Sequence, residues 1–206
     1  MRKISLNAVW IGATLVVLAV VGTAIGFDRI QVRNDPGTPN AVLEIGGPFS
    51  LIDHHGKRVT DRDFLGKPTL VFFGYTHCPD VCPTTLYEIT TQLQELGPDA
   101  DRLNALFITV DPERDTPEQL ALYLSSFDPR IVGLSGSVEE ISAAMKAYHI
   151  YAKKVPLNDG DYTMDHTATV AMMNSKGKYV GAMIAQAPSA TTHAKLRRLL
   201  DAEKSG

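Results

Sequence analysis

The stretch "TLVFFGYTHCPDVCPTTL", residues 69–86, predicts a strand, a turn and the start of a helix, and it contains both cysteines of the chain, Cys78 and Cys82. Its first eight residues form a continuous apolar, β-rich run, which is typical of a strand buried on both faces of a sheet. Pro83 suits the first turn of a helix, and the apolar residues after it recur at helical spacing. Both thiols therefore belong to a strand-to-helix turn, where ligands and reactive groups gather in open α/β sheets.

Strands and helices alternate through the rest of the chain. "NALFITV" (104–110) and "IVGLSG" (131–136) predict two further buried strands, and the helices after them begin at capping boxes, from Thr116 and from Ser137. "FSLIDHHGKRVT" (49–60) predicts a hairpin, and residues 166–184 predict two strands before a last helix from about Ser189 to Glu203. This order predicts an α/β fold of the thioredoxin-like kind, with a mixed sheet flanked by helices.

The bulk composition excludes two classes of protein. The formal net charge of −3 provides no basic surface for nucleic acid. Two cysteines are too few for a scaffold built on disulfides. The use of the thiols must therefore be inferred from their position.

The N-terminal segment predicts a membrane anchor. Residues 4–27 carry no charged side chain, and about 20 apolar residues suffice for a helix to cross a bilayer. Arg2 and Lys3 precede this run and would keep the N-terminus in the cytoplasm. A cleaved signal peptide is the alternative, but its apolar region is usually about 7–15 residues long and ends at an A-x-A site. We expect a retained single-pass anchor (1–27), a polar tether (28–44) and a domain (45–206), which in a Gram-negative bacterium would sit on the inner (cytoplasmic) membrane and face the periplasm.

Three uses of the cysteine pair are open on spacing alone. A structural disulfide over so short a loop constrains the unfolded chain weakly. Thiol–disulfide exchange usually uses two intervening residues, whereas Cys78 and Cys82 have three, although a pair whose Cα atoms lie within about 7 Å can still oxidise. A structural zinc site requires four protein ligands, whereas cuprous copper accepts soft sulfur and imidazole.

A third metal ligand would come from elsewhere in the chain. His166 follows "VPLNDGDYTMD" (155–165), which we expect to be a loop, and is predicted to open a strand beside the cysteine turn. A lone histidine is most often structural, so spacing leaves His166 as a candidate only. Turn, cap or surface positions explain the remaining histidines, which are His54, His55, His77, His149 and His193. Two further candidates have equally ordinary explanations, core packing for Met164 and helix capping for Asp80.

A charged cluster, "DPERDTP" (111–117), follows the strand 104–110. If that strand runs parallel to the strand before the cysteines, the cluster lies on the side of the cysteine turn. Its alternating acidic and basic side chains suggest a surface that faces a partner.

Three motifs together resemble the Sco/SenC family of copper-binding, membrane-anchored assembly factors for cytochrome c oxidase. They are "FGYTHCPDVCPTTL" (73–86), "FITVDPERDTP" (107–117) and "DHTATVAMMNSKGKYV" (165–180), and the resemblance covers about residues 45–203. It implies a thioredoxin-like fold in which Cys78, Cys82 and His166 hold copper. The chain departs from the family at "ATVAMMN", where relatives often carry a tyrosine–leucine pair and an aspartate–proline, which affects a strand and turn rather than a ligand.

The resemblance implies two functions. The first is a copper chaperone that carries Cu(I), Cu(II) or both to the binuclear copper centre of cytochrome c oxidase subunit II. The alternative is a thiol–disulfide reductase in which Cys78 or Cys82 attacks a disulfide and keeps the cysteines of that centre reduced. Another copper carrier or a thiol reductant is a further expected partner.

Overall fold

The structure is a computed structural model that describes residues 44–158, 160–184 and 187–203. The predicted anchor (1–27) and nearly all of the predicted tether lie outside these residues. Within them, no helix is both long enough and apolar enough to cross a bilayer.

The strands of the described part, in chain order, are β1 Ser50–Asp53, β2 Arg58–Thr60, β3 Thr69–Gly74, β4 Asn104–Thr109, β5 Ile131–Ser135, β6 Ala152–Pro156, β7 Tyr162–His166, β8 Thr169–Met173 and β9 Tyr179–Ile184. Seven of them form one sheet in the order β2-β1-β5-β4-β3-β8-β9, and β6 pairs with β7 separately. β3, β4 and β5 are parallel, and the other neighbours are antiparallel. This is the mixed, thioredoxin-like sheet that the sequence predicts.

Four α-helices flank the sheet in the described residues: α1 Val81–Leu96, α2 Pro117–Leu124, α3 Val138–Ala147 and α4 Ser189–Ala202. Two short 3₁₀ helices, Asp61–Phe64 and Gly97–Arg102, complete the order. α1 begins two residues before Pro83, its apolar face is buried in the hydrophobic core that it shares with the strands, and it contacts α4. Burial of this face, rather than helix propensity alone, stabilises such a helix.

The predicted helix starts are found with one difference. Ser137 and Glu140 form both hydrogen bonds of the capping box at the start of α3. At α2 the hydroxyl of Thr116 accepts from the backbone N–H of Gln119, so this half of the predicted box is present. Both caps satisfy backbone donors that a helix leaves unpaired.

β3 occupies the centre of the sheet, as its sequence predicts. All six of its residues are buried, between β4 on one side and β8 on the other. The carboxyl ends of the parallel strands β3 and β4 therefore meet at one edge. The cysteine turn leaves the sheet at this edge.

The region before His166 corrects the sequence prediction. Residues 155–165 were expected to form a loop, but both ends of this stretch belong to strands, Ala152–Pro156 and Tyr162–His166, and His166 ends a strand instead of opening one. No residue of either strand is buried, so neither strand has the continuous apolar run that marks the buried strands of the main sheet. The turn between them closes through Leu157, whose N–H donates to the carbonyl of Asp161 at 2.8 Å.

Candidate metal centre

The turn after β3 brings the two cysteines together at the start of α1. Cys82 lies in the first turn of the helix, and its backbone N–H donates to Sγ of Cys78 at 3.4 Å. Both thiols are free. Cys82 is fully buried, whereas Cys78 retains 8% exposure. Cys78 is therefore the sulfur at the rim of the site.

A glycine at the end of β3 makes room for Cys82. A Cβ atom on Gly74 would lie 2.8 Å from Sγ of Cys82 and 2.6 Å from Cε2 of Phe107. Both distances are shorter than a normal van der Waals contact, so Gly74 allows the sulfur to approach the strand backbone. A glycine inside a strand pattern often marks such a close approach, which was the only signal for this residue in the sequence.

His166 presents its second ring nitrogen to the sulfurs. Nε2 lies 3.4 Å from Sγ of Cys82, and Nδ1 lies 3.0 Å from the carbonyl oxygen of Thr167. Because a carbonyl can only accept, Nδ1 carries the proton and donates, which leaves the lone pair of Nε2 facing Cys82. A histidine ligand to a metal is commonly held in this way, through a hydrogen bond from its other nitrogen.

The ligand atoms of Cys78, Cys82 and His166 all lie within 4.8 Å of one another. Within the described residues, this is the one such group of three or more histidine, cysteine or acidic side chains. Two sulfurs and one imidazole fit cuprous copper, and they fall short of the four ligands of a structural zinc site.

The other histidine and acidic candidates do not belong to this cluster. Met164 packs against the hydrophobic core, and Asp80 occupies the N-cap position of α1 without a side-chain capping bond. Asp80 therefore lies at the expected capping position, but its side chain does not form the expected capping bond. The remaining histidines lie outside the cluster: His54, His55, His77, His149 and His193.

The cysteine pair holds one proton between its two sulfurs. The pKa of Cys78 is lowered to about 3, first because the thiol of Cys82 donates to it and then because backbone N–H groups donate to it, against the opposing cost of burial. The pKa of Cys82 is raised because its proton is shared with Cys78 and because the side chain is buried. Cys78 is thus a thiolate at neutral pH and Cys82 a thiol. Thiolate is the form that attacks disulfides and binds metals.

Two acids of the charged cluster 111–117 are buried, and one of them, Asp115, supports the cysteine turn. Asp115 is fully buried, and its carboxylate accepts from N–H and Oγ1 of Thr76 at 3.0 and 2.6 Å and from Oγ1 of Thr109 at 2.7 Å. Burial raises the pKa of Asp115 while these donors oppose the rise. Asp111 is also buried. The predicted position beside the cysteines is therefore observed, but the expected exposed surface is wrong for these two acids.

Comparisons with known proteins identify the family of the chain. The SCO1/SenC family model matches residues 37–201. The chain belongs to the SCO1/SenC family. The resemblance seen in the three sequence motifs is thereby confirmed.

Among curated members, Protein SenC of Rhodobacter capsulatus is 36% identical over 180 residues, which cover 84% of this chain and 81% of SenC. The chain spans about half the length of other curated relatives that it matches, from Arabidopsis thaliana, Schizosaccharomyces pombe and Danio rerio. The similarity to them therefore concerns the shared domain.

Solved structures of the family share the fold. Bradyrhizobium japonicum ScoI with copper bound is 55% identical, with a TM-score of 0.72 over 75% of this chain and 99% of that chain. Yeast Sco1 with copper bound is 36% identical, with a TM-score of 0.71 over 77% of this chain and 89% of that chain. BsSco, described as a member of the Sco family of cytochrome c oxidase assembly proteins with a disulfide switch, is 22% identical, with a TM-score of 0.61 over 77% and 94% of the two chains.

Proposed function

We propose that this protein binds one copper ion through Cys78, Cys82 and His166 and passes it to the binuclear copper centre of cytochrome c oxidase subunit II. The observation that carries the proposal is the convergence of the three ligand atoms within 4.8 Å. Relatives at 55% and 36% identity were solved with copper bound, which supports copper as the metal. The role in oxidase assembly rests on the family.

Two of the three residues are already in the form that binds copper. Cys78 is already a thiolate, and His166 already holds the tautomer that leaves Nε2 free. Cys82 must lose one proton when the metal binds, so binding releases protons to the solvent. Bound copper would link the three side chains. Only reduced cysteines can bind it, because a disulfide offers no thiolate.

Transfer would proceed by ligand exchange from the exposed side of the site. Cys82 is fully buried and Cys78 lies at the rim, so a thiolate of the acceptor would reach the metal beside Cys78. The acceptor would then replace the ligands of this protein one at a time. We further propose that residues 4–27 anchor the domain to the inner membrane on the periplasmic side, supported by the length of the uncharged run and the basic residues before it.

A second function, disulfide reduction, is favoured by the asymmetry of the cysteine pair. The thiolate of Cys78 would attack one sulfur of a partner's disulfide, forming a mixed disulfide and releasing the other sulfur as a thiolate. Cys82 would then give up its proton and attack Sγ of Cys78, forming the Cys78–Cys82 disulfide. The partner leaves as a dithiol, having gained two electrons and two protons, one from Cys82 and one from solvent.

The two functions are separated by His166→Ala, with His77→Ala as the matched control because His77 adjoins Cys78 but lies outside the cluster. We would measure Cu(I) affinity by chelator competition and the rate of reduction of an oxidised subunit II domain. Copper binding by His166 predicts a loss of affinity of about 10-fold or more in His166→Ala alone. Unchanged copper affinity in His166→Ala would contradict the copper proposal, and a disulfide reaction of unchanged rate in the same variant would then favour the reductase.

A further inference from the structure

The hairpin β6–β7 carries His166 but does not belong to the main sheet. Each residue of its two strands is at least partly exposed. An isolated two-stranded hairpin is marginally stable in water. The position of His166 relative to the cysteines must therefore depend on contacts between this hairpin and the rest of the domain.

Arg114 makes the densest set of these contacts. Its Nη1 donates to Oδ1 of Asp161 at 3.1 Å and to the carbonyl oxygen of Tyr162 at 3.0 Å. Its guanidinium carbon lies 3.7 Å from the centroid of the Tyr162 ring, which is a cation–π contact. The side chain of Arg114, only 16% exposed, thus contacts the carboxylate of Asp161 and both the backbone and the ring of Tyr162, at the start of β7.

The other end of Arg114 is fixed to the core of the domain. Nε donates to Oδ2 of Asp111 at 2.5 Å, and the hydroxyl of Tyr162 donates to Oδ1 of the same carboxylate at 2.8 Å. Asp111 is 1% exposed, and its backbone N–H donates to Oγ1 of Thr109. Asp111, Arg114 and Tyr162 therefore form a closed clamp whose base is rigid.

We propose that Arg114 is a positioning residue for His166: by clamping Tyr162 to Asp111 it sets the distance of Nε2 from the two sulfurs. This inference rests on the proposed copper function. Tyr162 and His166 lie on the same face of β7, because they are four residues apart, and about 13 Å of strand joins them. Freeing the strand at Tyr162 lets it pivot, and a pivot moves His166 relative to Cys78 and Cys82.

The hairpin has a second tether, which keeps a clamp variant folded. The hydroxyl of Tyr75 lies 2.7 Å from Oγ1 of Thr163, within hydrogen-bond distance. Arg114→Ala should therefore loosen the start of β7 without releasing the whole hairpin. Arg114→Lys retains the charge but not the planar fork, so it should restore the position only in part.

The first test is Cu(I) affinity of the full chain, purified in mild detergent and measured by chelator competition. Arg114→Ala should weaken binding about 10-fold or more, and Arg114→Lys should weaken it less. When His166 is already replaced by alanine, the additional change Arg114→Ala should lower Cu(I) affinity by less than about 2-fold, because Arg114 acts through His166. Arg130→Ala is the matched control, since Arg130 also forks onto an aspartate, Asp128, but in a loop outside the cluster.

Equal losses in both backgrounds, or no loss in either, would overturn the positioning role. Hydrogen exchange of the metal-free protein tests the clamp independently of copper. The amides of β6 and β7 should exchange faster in Arg114→Ala than in Arg130→Ala, and equal rates would overturn the clamp. If wild-type protein and His166→Ala bind copper equally, the proposed function fails, while the exchange rates still decide whether Arg114 holds the hairpin.

Discussion

Gly74→Ala crowds one atom of the proposed site directly. The new Cβ would lie 2.8 Å from Sγ of Cys82 and 2.6 Å from Cε2 of Phe107, whereas ordinary contact begins at 3.4 Å. Sγ must therefore retreat by about 0.6 Å, or the strand must shift by a similar distance. Metal–ligand distances vary by only about 0.2 Å, so this displacement is large for a metal site.

The expected cost has two parts. Crowding in a packed core lowers the free energy of unfolding by about 1–3 kcal/mol. For a domain of this size the midpoint of thermal unfolding then falls by about 2–12 °C. The displaced sulfur should also weaken Cu(I) binding by about 10-fold or more, measured by chelator competition under reducing conditions.

Gly133→Ala is the matched control for Gly74→Ala. Its Cβ would lie 2.6 Å from Cδ1 of Leu124 and 3.3 Å from Cβ of Leu120, so it crowds the core between β5 and α2, among residues outside the ligand cluster. Both variants should lose stability, but only Gly74→Ala should lose copper affinity. Equal copper affinity in the two variants would refute the argument that Gly74 makes room for the ligand sulfur.

The remaining predictions concern protons and buried carboxylates. The raised pKa of Cys82 leaves one proton on the metal-free cysteine pair, and copper binding must release it. Cu(I) affinity, measured by chelator competition, should therefore rise about 10-fold per pH unit between pH 7 and 8. A rise of about 100-fold per pH unit would mean that two protons are released and would contradict the sharing of one proton. Because its pKa is about 3, Cys78 should be alkylated before Cys82 and at nearly the same rate from pH 5 to 8, as monitored by mass spectrometry. An alkylation rate that falls about 10-fold for each pH unit of acidification would indicate an ordinary thiol. Asp115→Ala leaves Thr76 and Thr109 without their acceptor and should lower the free energy of unfolding in urea by about 1–3 kcal/mol, whereas an unchanged midpoint would remove Asp115 from its supporting role.

The main sheet could be predicted because its signals are local. β3 and β4 are almost entirely buried, so their sequences are continuous apolar runs. Ser137 and Glu140 act within one turn of chain. Such features depend on neighbours in sequence, and a pattern of residue types is enough to reveal them.

The hairpin β6–β7 could not be predicted, because contacts distant in sequence hold it in place. Its strands bury no residue and carry no continuous apolar run. The contact of Arg114 with Asp161 spans 47 residues of chain. Nothing in the local sequence indicates such a contact.

The candidate site shows the same division. The spacing of Cys78 and Cys82 predicted a turn site, but the choice of His166 depended on the family resemblance, since the histidine reaches the sulfurs only through the unpredicted hairpin. The sequence did not identify Gly74, because this residue contributes by lacking a side chain and so leaving space for Sγ of Cys82. Its importance appears only when the distance to Cys82 is known.

The most direct test of the account is a Cu(I) titration of the reduced, full-length protein in mild detergent, without oxygen, against a chelator and with zinc present. The wild-type protein should bind one copper ion tightly, and the affinity of His166→Ala should be lower by about 10-fold or more. The double variant Cys78→Ser, Cys82→Ser should not bind copper. Copper bound no better by the wild-type protein than by the double variant would contradict the metal site. The two thiols would then serve electron exchange alone.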